Sequence, residues 1–213
     1  MDRREENRAK ALKDLQQLGV LMLDGHFDYG NGYHGAAYLN PHQLFLHPST
    51  IWRFAQDLLD LLPTEILQNT DVVAGPATGG ALLAHTLAGL LDSRRSLTHP
   101  PSSFAPLHND PSSSASPRAG GLSLRPFYAR EIKGKRVLVA DDIRNTGQTL
   151  ARCASLVKDA GGTVIATMQI YDRMEAVADI GVANFALAEY KAPENYKAAA
   201  CPLCTAKMPI TRF

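Results

Sequence analysis

Residues 137–149, VLVADDIRNTGQT, hold this chain to a narrow set of folds. Val137 to Ala140 is a short, wholly apolar run, as expected of a strand covered on both faces of a sheet. It delivers two adjacent carboxylates, Asp141 and Asp142, to its carboxyl edge. After a three-residue spacer, Thr146-Gly147-Gln148-Thr149 turns into a helix that the pattern carries to Ala160. Backbone N–H groups and two hydroxyls at a helix start form an anion pocket suited to a phosphate. Vicinal carboxylates beside it suit a sugar diol, or a cation held through water. An isolated acid pair is most often a solvated strand end. Strand, acids, spacer, T-G-x-T and helix in one register point instead to a sugar phosphate site.

The same alternation runs through the rest of the chain. DVVAG (71–75) reads as a buried strand, followed by a turn of small residues and a helix from Thr78 to Leu91. TVIATMQIYD (163–172) and FALAEY (185–190) read as further strands. Residues 2–18 form an amphipathic pattern with Leu12, Leu15 and Leu18 on one side and Gly19 as its stop. Pro48 opens a second helix whose Ile51, Phe54, Leu58 and Leu61 face a core, and Trp52 lies on that helix. Strands alternating with helices give an α/β fold, a central mainly parallel sheet flanked by helices. In such sheets ligands bind beyond the carboxyl ends of the strands. The second strand end to read is therefore GPATGG (75–80), where glycines allow backbone N–H groups to approach an anion closely.

Other classes are disfavoured. No G-x-x-x-x-G-K-[ST] is present, against a P-loop hydrolase, and the G-x-G-x-x-G at Gly30 to Gly35 lies among short runs broken by Gly and Asn rather than between a strand and a helix, against a dinucleotide fold. The 22 Lys+Arg nearly balance 21 Asp+Glu, so neither nucleic acid nor an anionic membrane is expected as a partner. The start is charged and no apolar stretch approaches ~18 residues, so neither a signal peptide nor a membrane span is expected. Three cysteines among 213 residues fit a reducing cytoplasm. Cys201-Pro-Leu-Cys204 supplies two thiolates where a structural zinc site wants four ligands, and Cys153 is distant in sequence. No metal site is expected there. The reading is a buried reduced pair, with a metal shared between subunits or a redox disulfide as alternatives.

One window stands apart. Between Ser96 and Gly121, 14 of 26 residues are Ser, Pro or Gly, and 5 of the chain's 13 prolines fall there. Such a segment has little to bury, so 96–121 reads as a long flexible loop, either a lid at the site or a dispensable insertion.

With both strand ends in view, the chain resembles the type I phosphoribosyltransferases. By that resemblance Asp141 and Asp142 hold the ribose 2- and 3-hydroxyls of phosphoribosyl pyrophosphate (PRPP), and Asn145, Thr146, Gly147, Gln148 and Thr149 wrap the 5-phosphate. Ala77, Thr78, Gly79 and Gly80 look like the family's pyrophosphate loop. Within the family the chain is most similar to the short bacterial and archaeal orotate enzymes. GHFDYGNGYHGAAYLNP (25–41) is similar to their hood, Asp172-Arg173 matches the dipeptide ending their last motif strand, and CPLC followed by MPI also occurs in them. This implies residues 1–45 as N-terminal helix and hood and 46–213 as transferase core. It also implies Mg²⁺ as cofactor, a homodimer, and transfer of phosphoribosyl from PRPP to orotate.

Orotate carries a carboxylate, and Arg173 at a strand end is the cation offered to it; the plainer reading of Arg173 is a surface salt bridge. Hood residues His26 and His34 are candidates for substrate contact or plain hood residues. Where the short orotate enzymes carry a loop Lys, this chain has Leu107, and no Lys occurs between Asp92 and Arg130. Arg118 is the candidate replacement cation. Transfer to another nucleobase, or PRPP sensing without catalysis, remain the other readings.

Overall fold

The computed structural model describes residues 3–96, 98–110, 121–175 and 179–213. Its centre is a six-stranded sheet of β5 (Val72–Pro76), β6 (Ser103–Asp110), β7 (Gly121–Ser123), β8 (Arg136–Arg144), β9 (Thr163–Asp172) and β10 (Ala183–Glu189). The order across the sheet is β10-β9-β8-β5-β6-β7, and every pairing is parallel except β6 with β7. The mainly parallel α/β sheet expected from the alternation is the one found.

Residue alternation sorts the side chains into two cores. Val73, Leu138, Ala140 and Met168 face a layer formed by α1 (Arg3–Gln17), α2 (Pro48–Leu59) and α4 (Gly79–Ser93). Val72, Ala74, Val137 and Val139 face the opposite layer, formed by α5 (Pro126–Ile132) and α6 (Gln148–Asp159). A strand buried on both faces must read as a continuous apolar run, and β5 is buried at all five positions. On α2 the stripe of Ile51, Phe54 and Leu58 is buried, while Trp52 stands outside it, half exposed.

Two sequence readings change. Ala11 and Leu15 pack into the same cluster as α2 and β10, so the first helix belongs to the core rather than the hood. The hood itself crosses the expected boundary at residue 45. It contains β1 (Leu21–Met22) paired with β4 (Tyr38–Leu39), and β2 (Phe27–Asp28) paired with β3 (Tyr33–Gly35). Its third strand beside β3 is β11 (Tyr196–Lys197), and Phe213 stacks on Tyr38 with ring centroids 4.2 Å apart. A short helix, α7 (Pro202–Thr205), follows β11.

The proline-rich window also corrects: residues 103–110 are not loop but strand β6. Ser103 N–H donates to Asp71 O and Leu107 O accepts from Ala77 N–H, so 103, 105 and 107 bond toward β5. Pro106 therefore turns its missing donor to the outer side, where β7 reaches only His108 to Asp110. Ala105 and Leu107 are fully buried and hold the strand in place. The start of β6 is tied down by Arg95. Its buried guanidinium donates to Ser102 Oγ at 2.7 Å, to Thr70 O at 2.7 Å and to Leu67 O at 2.8 Å. The carbonyls it satisfies end α3 (Thr64–Asn69).

Replacing Arg95 with Ala leaves those carbonyls without a charged donor and should lower unfolding free energy by about 3 kcal/mol. Arg95→Lys should recover less than half of that, because a single ammonium cannot span the three acceptors. Urea unfolding of the two variants measures both effects; equal stability of Arg95→Ala and the parent would remove this anchor from the account.

Candidate active site

Because β5 and β8 are sheet neighbours, their carboxyl ends face one another. Asp141 and Asp142, in the C-terminal part of β8, lie against the turn that leaves β5, and there is no room for side chains between them. A Cβ on Gly79 would lie 2.6 Å from Asp142 Cγ and 2.7 Å from Phe45 Cζ. One on Gly80 would lie 2.8 Å from Asp141 Oδ1 and 2.9 Å from Ala140 O. The glycines are thus what lets the acid pair close on the turn. The Ala77–Thr78 peptide is cis.

Asp141 is 6% exposed, and its Oδ1 accepts the Asp142 N–H at 2.9 Å. Burial, and then the adjacent Asp142 carboxylate, push the Asp141 carboxyl well above the ordinary range. A group in that position is best satisfied by hydroxyl donors or by a cation brought by a ligand. Asp142 is more open.

Both acids line a cleft of about 1070 Å³, with Ala77, Thr78 and Gly79 on one wall and residues 143–150 on the other. Gly147 adopts φ +73°, a left-handed turn that suits glycine, and the exposed Asn145, Thr146, Gln148 and Thr149 surround it at the start of α6. Arg152, one turn into α6, also faces the cleft. Arg144 is held at the rim by Asp172, a buried carboxylate that accepts from its Nε at 2.9 Å. The same carboxylate accepts the Met174 N–H at 2.8 Å and Gln169 Nε2 at 3.2 Å.

A second pocket, about 250 Å³, adjoins the cleft at Leu39 and Arg173. Hood residues Tyr29, Asn31 and Tyr38 line it, with Tyr171 and, from the C-terminal segment, Asn195. Tyr29 O–H lies 2.5 Å from Ala37 O and 3.1 Å from Asn195 Oδ1. Burial raises the pKa of Tyr29, and that of Tyr171 to about 12, so both remain neutral hydroxyls. Arg173 stands between the two spaces, donating to Asn145 Oδ1 at 3.3 Å and paired with Glu175 at 3.1 Å.

A phosphoribosyl transferase domain model matches residues 50–182, which contain both strand ends. The chain belongs to this family. A curated orotate phosphoribosyltransferase from Desulforamulus reducens is 30% identical over 206 residues, 97% of this chain and 96% of that protein. Among solved structures, the orotate phosphoribosyltransferase of Aeropyrum pernix superposes with TM-score 0.62 at 22% identity, covering 84% of this chain and 93% of that one. The adenine phosphoribosyltransferase of Rhodothermus marinus gives TM-score 0.59 at 22% identity, covering 85% and 99%. The fold is therefore shared by enzymes named for different bases, and the base pocket has to be read from its own residues.

The structure brings Asp141, Asp142, Asn145, Thr146, Gly147, Gln148, Thr149, Ala77, Thr78, Gly79 and Arg173 to one cleft. Gly80 is buried behind Asp141 and acts as a spacer. Arg173 both lines the pockets and makes the salt bridge of its plainer reading. Arg118 lies outside the described residues. Leu107 is fully buried in β6 and offers nothing to the cleft. The sequence reading singled out neither Arg152 nor the Tyr29–Asn195 pair. Arg152 carries a local signal, one turn after T-G-Q-T on the same helix. Asn195 carries none, because it meets Tyr29 across 166 residues.

Asp141 supplies a test of sign. Its native carboxyl has a raised pKa, so ionising it at neutral pH weakens the fold relative to an unfolded chain titrating near 3.8. Asp141→Asn should abolish transfer and yet raise the melting temperature at neutral pH. That gain should shrink as pH falls and vanish below 3.8, where the carboxyl is protonated in both states. A thermal scan across pH, with circular dichroism, reads it.

Proposed function

We propose that the protein transfers the phosphoribosyl group of PRPP to orotate, giving orotidine 5-phosphate and pyrophosphate. The observation that carries this reading is Arg173, standing where a phosphate- and diol-shaped cleft opens into a small pocket walled by tyrosines and asparagine amides. A flat pyrimidine bearing a carboxylate matches that pocket: Arg173 faces the carboxylate, and Asn31 and Asn195 offer amide donors and acceptors to the ring.

The roles of the chain's own groups follow from their placement. N–H groups at the start of α6 and the Thr146 and Thr149 hydroxyls hold the 5-phosphate. Asp141 and Asp142 accept hydrogen bonds from the ribose hydroxyls, which orients C1 toward the small pocket. The ring nitrogen of the base gives up its proton to solvent and forms its bond to C1 as the bond to pyrophosphate breaks. The departing oxygens are received by the backbone of residues 77–79, with Arg152 near the same cleft. Water must be kept out, since it would take the place of the base.

Mg²⁺ fits the donor set, because Asp141 and Asp142 are hard oxygen ligands in an open cleft, the type of site that binds this ion through water and substrate phosphates. Bound there, it neutralises charge developing on the leaving group. No helix among the described residues is long and apolar enough to cross a membrane. A cytoplasmic homodimer is the assembly that goes with this reading.

One assay with PRPP, Mg²⁺ and a panel of bases, following pyrophosphate release, decides the matter. Release with orotate alone is expected. Release with a purine or uracil instead would reassign the base, and PRPP binding without release would replace transfer by sensing. Arg173→Ala should raise KM for orotate about 10- to 100-fold, the equivalent of about 1.5–3 kcal/mol for a charged hydrogen bond. The KM for PRPP should change much less, and Arg173→Lys should recover part of the loss.

A further inference from the structure

Away from the cleft, four side chains converge between the hood and the C-terminal segment. They are His26, His34, Cys201 and Cys204, and one ligand atom from each lies within 4.8 Å of all the others. His26 Nε2 is 3.1 Å from His34 Nδ1 and 3.6 Å from the Sγ of both cysteines, and Cys204 Sγ is 3.3 Å from His34 Nδ1. All except Cys204 are buried. Cys201 and Cys204 by themselves made half a site, which is why none was expected; folding brings the other half from His26, just before β2, and from His34 in β3, about 170 residues away.

We propose that these four side chains bind one structural zinc ion through His26 Nε2, His34 Nδ1 and the two Sγ atoms. Zinc bonds of ~2.0–2.1 Å to nitrogen and ~2.3 Å to sulfur set tetrahedral edges of about 3.3 Å between nitrogens and about 3.6 Å between nitrogen and sulfur. The observed separations fall within a few tenths of an ångström of those edges. The outer nitrogens point the same way. His26 Nδ1 lies 2.9 Å from Met208 O, and a carbonyl only accepts, so that nitrogen carries the ring proton and Nε2 presents a lone pair. His34 Nε2 faces Asp28 Oδ1 at 3.9 Å, which favours the proton on that side and a lone pair on Nδ1. Two bare lone pairs 3.1 Å apart repel one another unless a cation lies between them. A carbonyl and a carboxylate behind metal-bound histidines are the partners such ligands ordinarily have.

The ligand set selects the ion. Two thiolates and two imidazoles suit zinc and not Mg²⁺ or Ca²⁺, which take oxygen. Binding releases two thiol protons to solvent, and Zn²⁺ with two thiolates is neutral, so the site can sit in the buried space the histidines occupy. With four protein ligands it has no open position and performs no chemistry. It staples the hood hairpin to the segment that follows Asn195, and so holds the wall of the small pocket.

The test uses the full chain expressed with zinc in the medium. Elemental analysis after gel filtration should find one zinc per chain, and exchange for cobalt(II) should give the intense visible bands of a tetrahedral, thiolate-bound ion. His26→Gln and Cys204→Ser should lose the zinc, while Cys153→Ser, altered in the α6 core, should keep it. A chain that takes up neither zinc nor cobalt overturns the proposal. So does a weak octahedral cobalt spectrum, a Cys201–Cys204 disulfide in metal-free protein, or full zinc retention in a Cys201→Ser/Cys204→Ser variant. If the ligand variants fail to fold, the cobalt spectrum of the parent chain still decides.

Discussion

Everything in the cleft depends on how closely two strand ends approach each other. β5 and β8 pair directly, and the turn after β5 meets the acids in the C-terminal part of β8 with no space for a Cβ at Gly79 or Gly80. This contact has two consequences at once. It brings backbone N–H groups, which favour anions, within reach of the carboxylates, which favour hydroxyls and cations. It also buries Asp141 enough that its charge is unfavourable until a ligand compensates it. A ligand that carries phosphate, diol and an associated cation satisfies all of these groups together. A free phosphate satisfies only some of them.

The sheet and this site were legible in the sequence because their determinants are local. VLVADDIRNTGQT encodes strand, acids, turn and helix within thirteen residues, and the glycine turn encodes its own close approach. What escaped was either averaged out or assembled from afar. Counting Ser and Pro across 96–121 concealed β6, whose Ala105 and Leu107 are buried and whose Pro106 is tolerated only because its outer side is unpaired. Periodicity could not reveal the Tyr29–Asn195 contact or the His26–Cys204 approach, since both join segments more than 150 residues apart. Arg95 was equally silent: the second of two arginines after a helix gives no hint that it satisfies the carbonyls ending another helix.

The two pockets are held by different means, and this bears on how the site works. The cleft floor rests on a six-stranded sheet with helices on both faces, so its geometry is set by the core. The small pocket is roofed by strands of two or three residues, which make few backbone bonds and cannot be rigid alone. Between them lies Asp172, a buried carboxylate at the end of β9 that binds Arg144 on the cleft side and the Met174 N–H on the other. Because Met174 has φ +55°, that bond fixes the turn immediately after Arg173. Asp172 thereby sets the position of Arg173 relative to the cleft without touching either cavity. On the proposed function, the half that would hold phosphoribosyl is preformed by the sheet, while the half that would hold the base depends on the hood being fastened. Contacts from the C-terminal segment, Phe213 on Tyr38 and Asn195 at Tyr29, supply that fastening from the far end of the chain. On this division, loosening the C-terminal segment weakens hold on the base before it weakens hold on the phosphate.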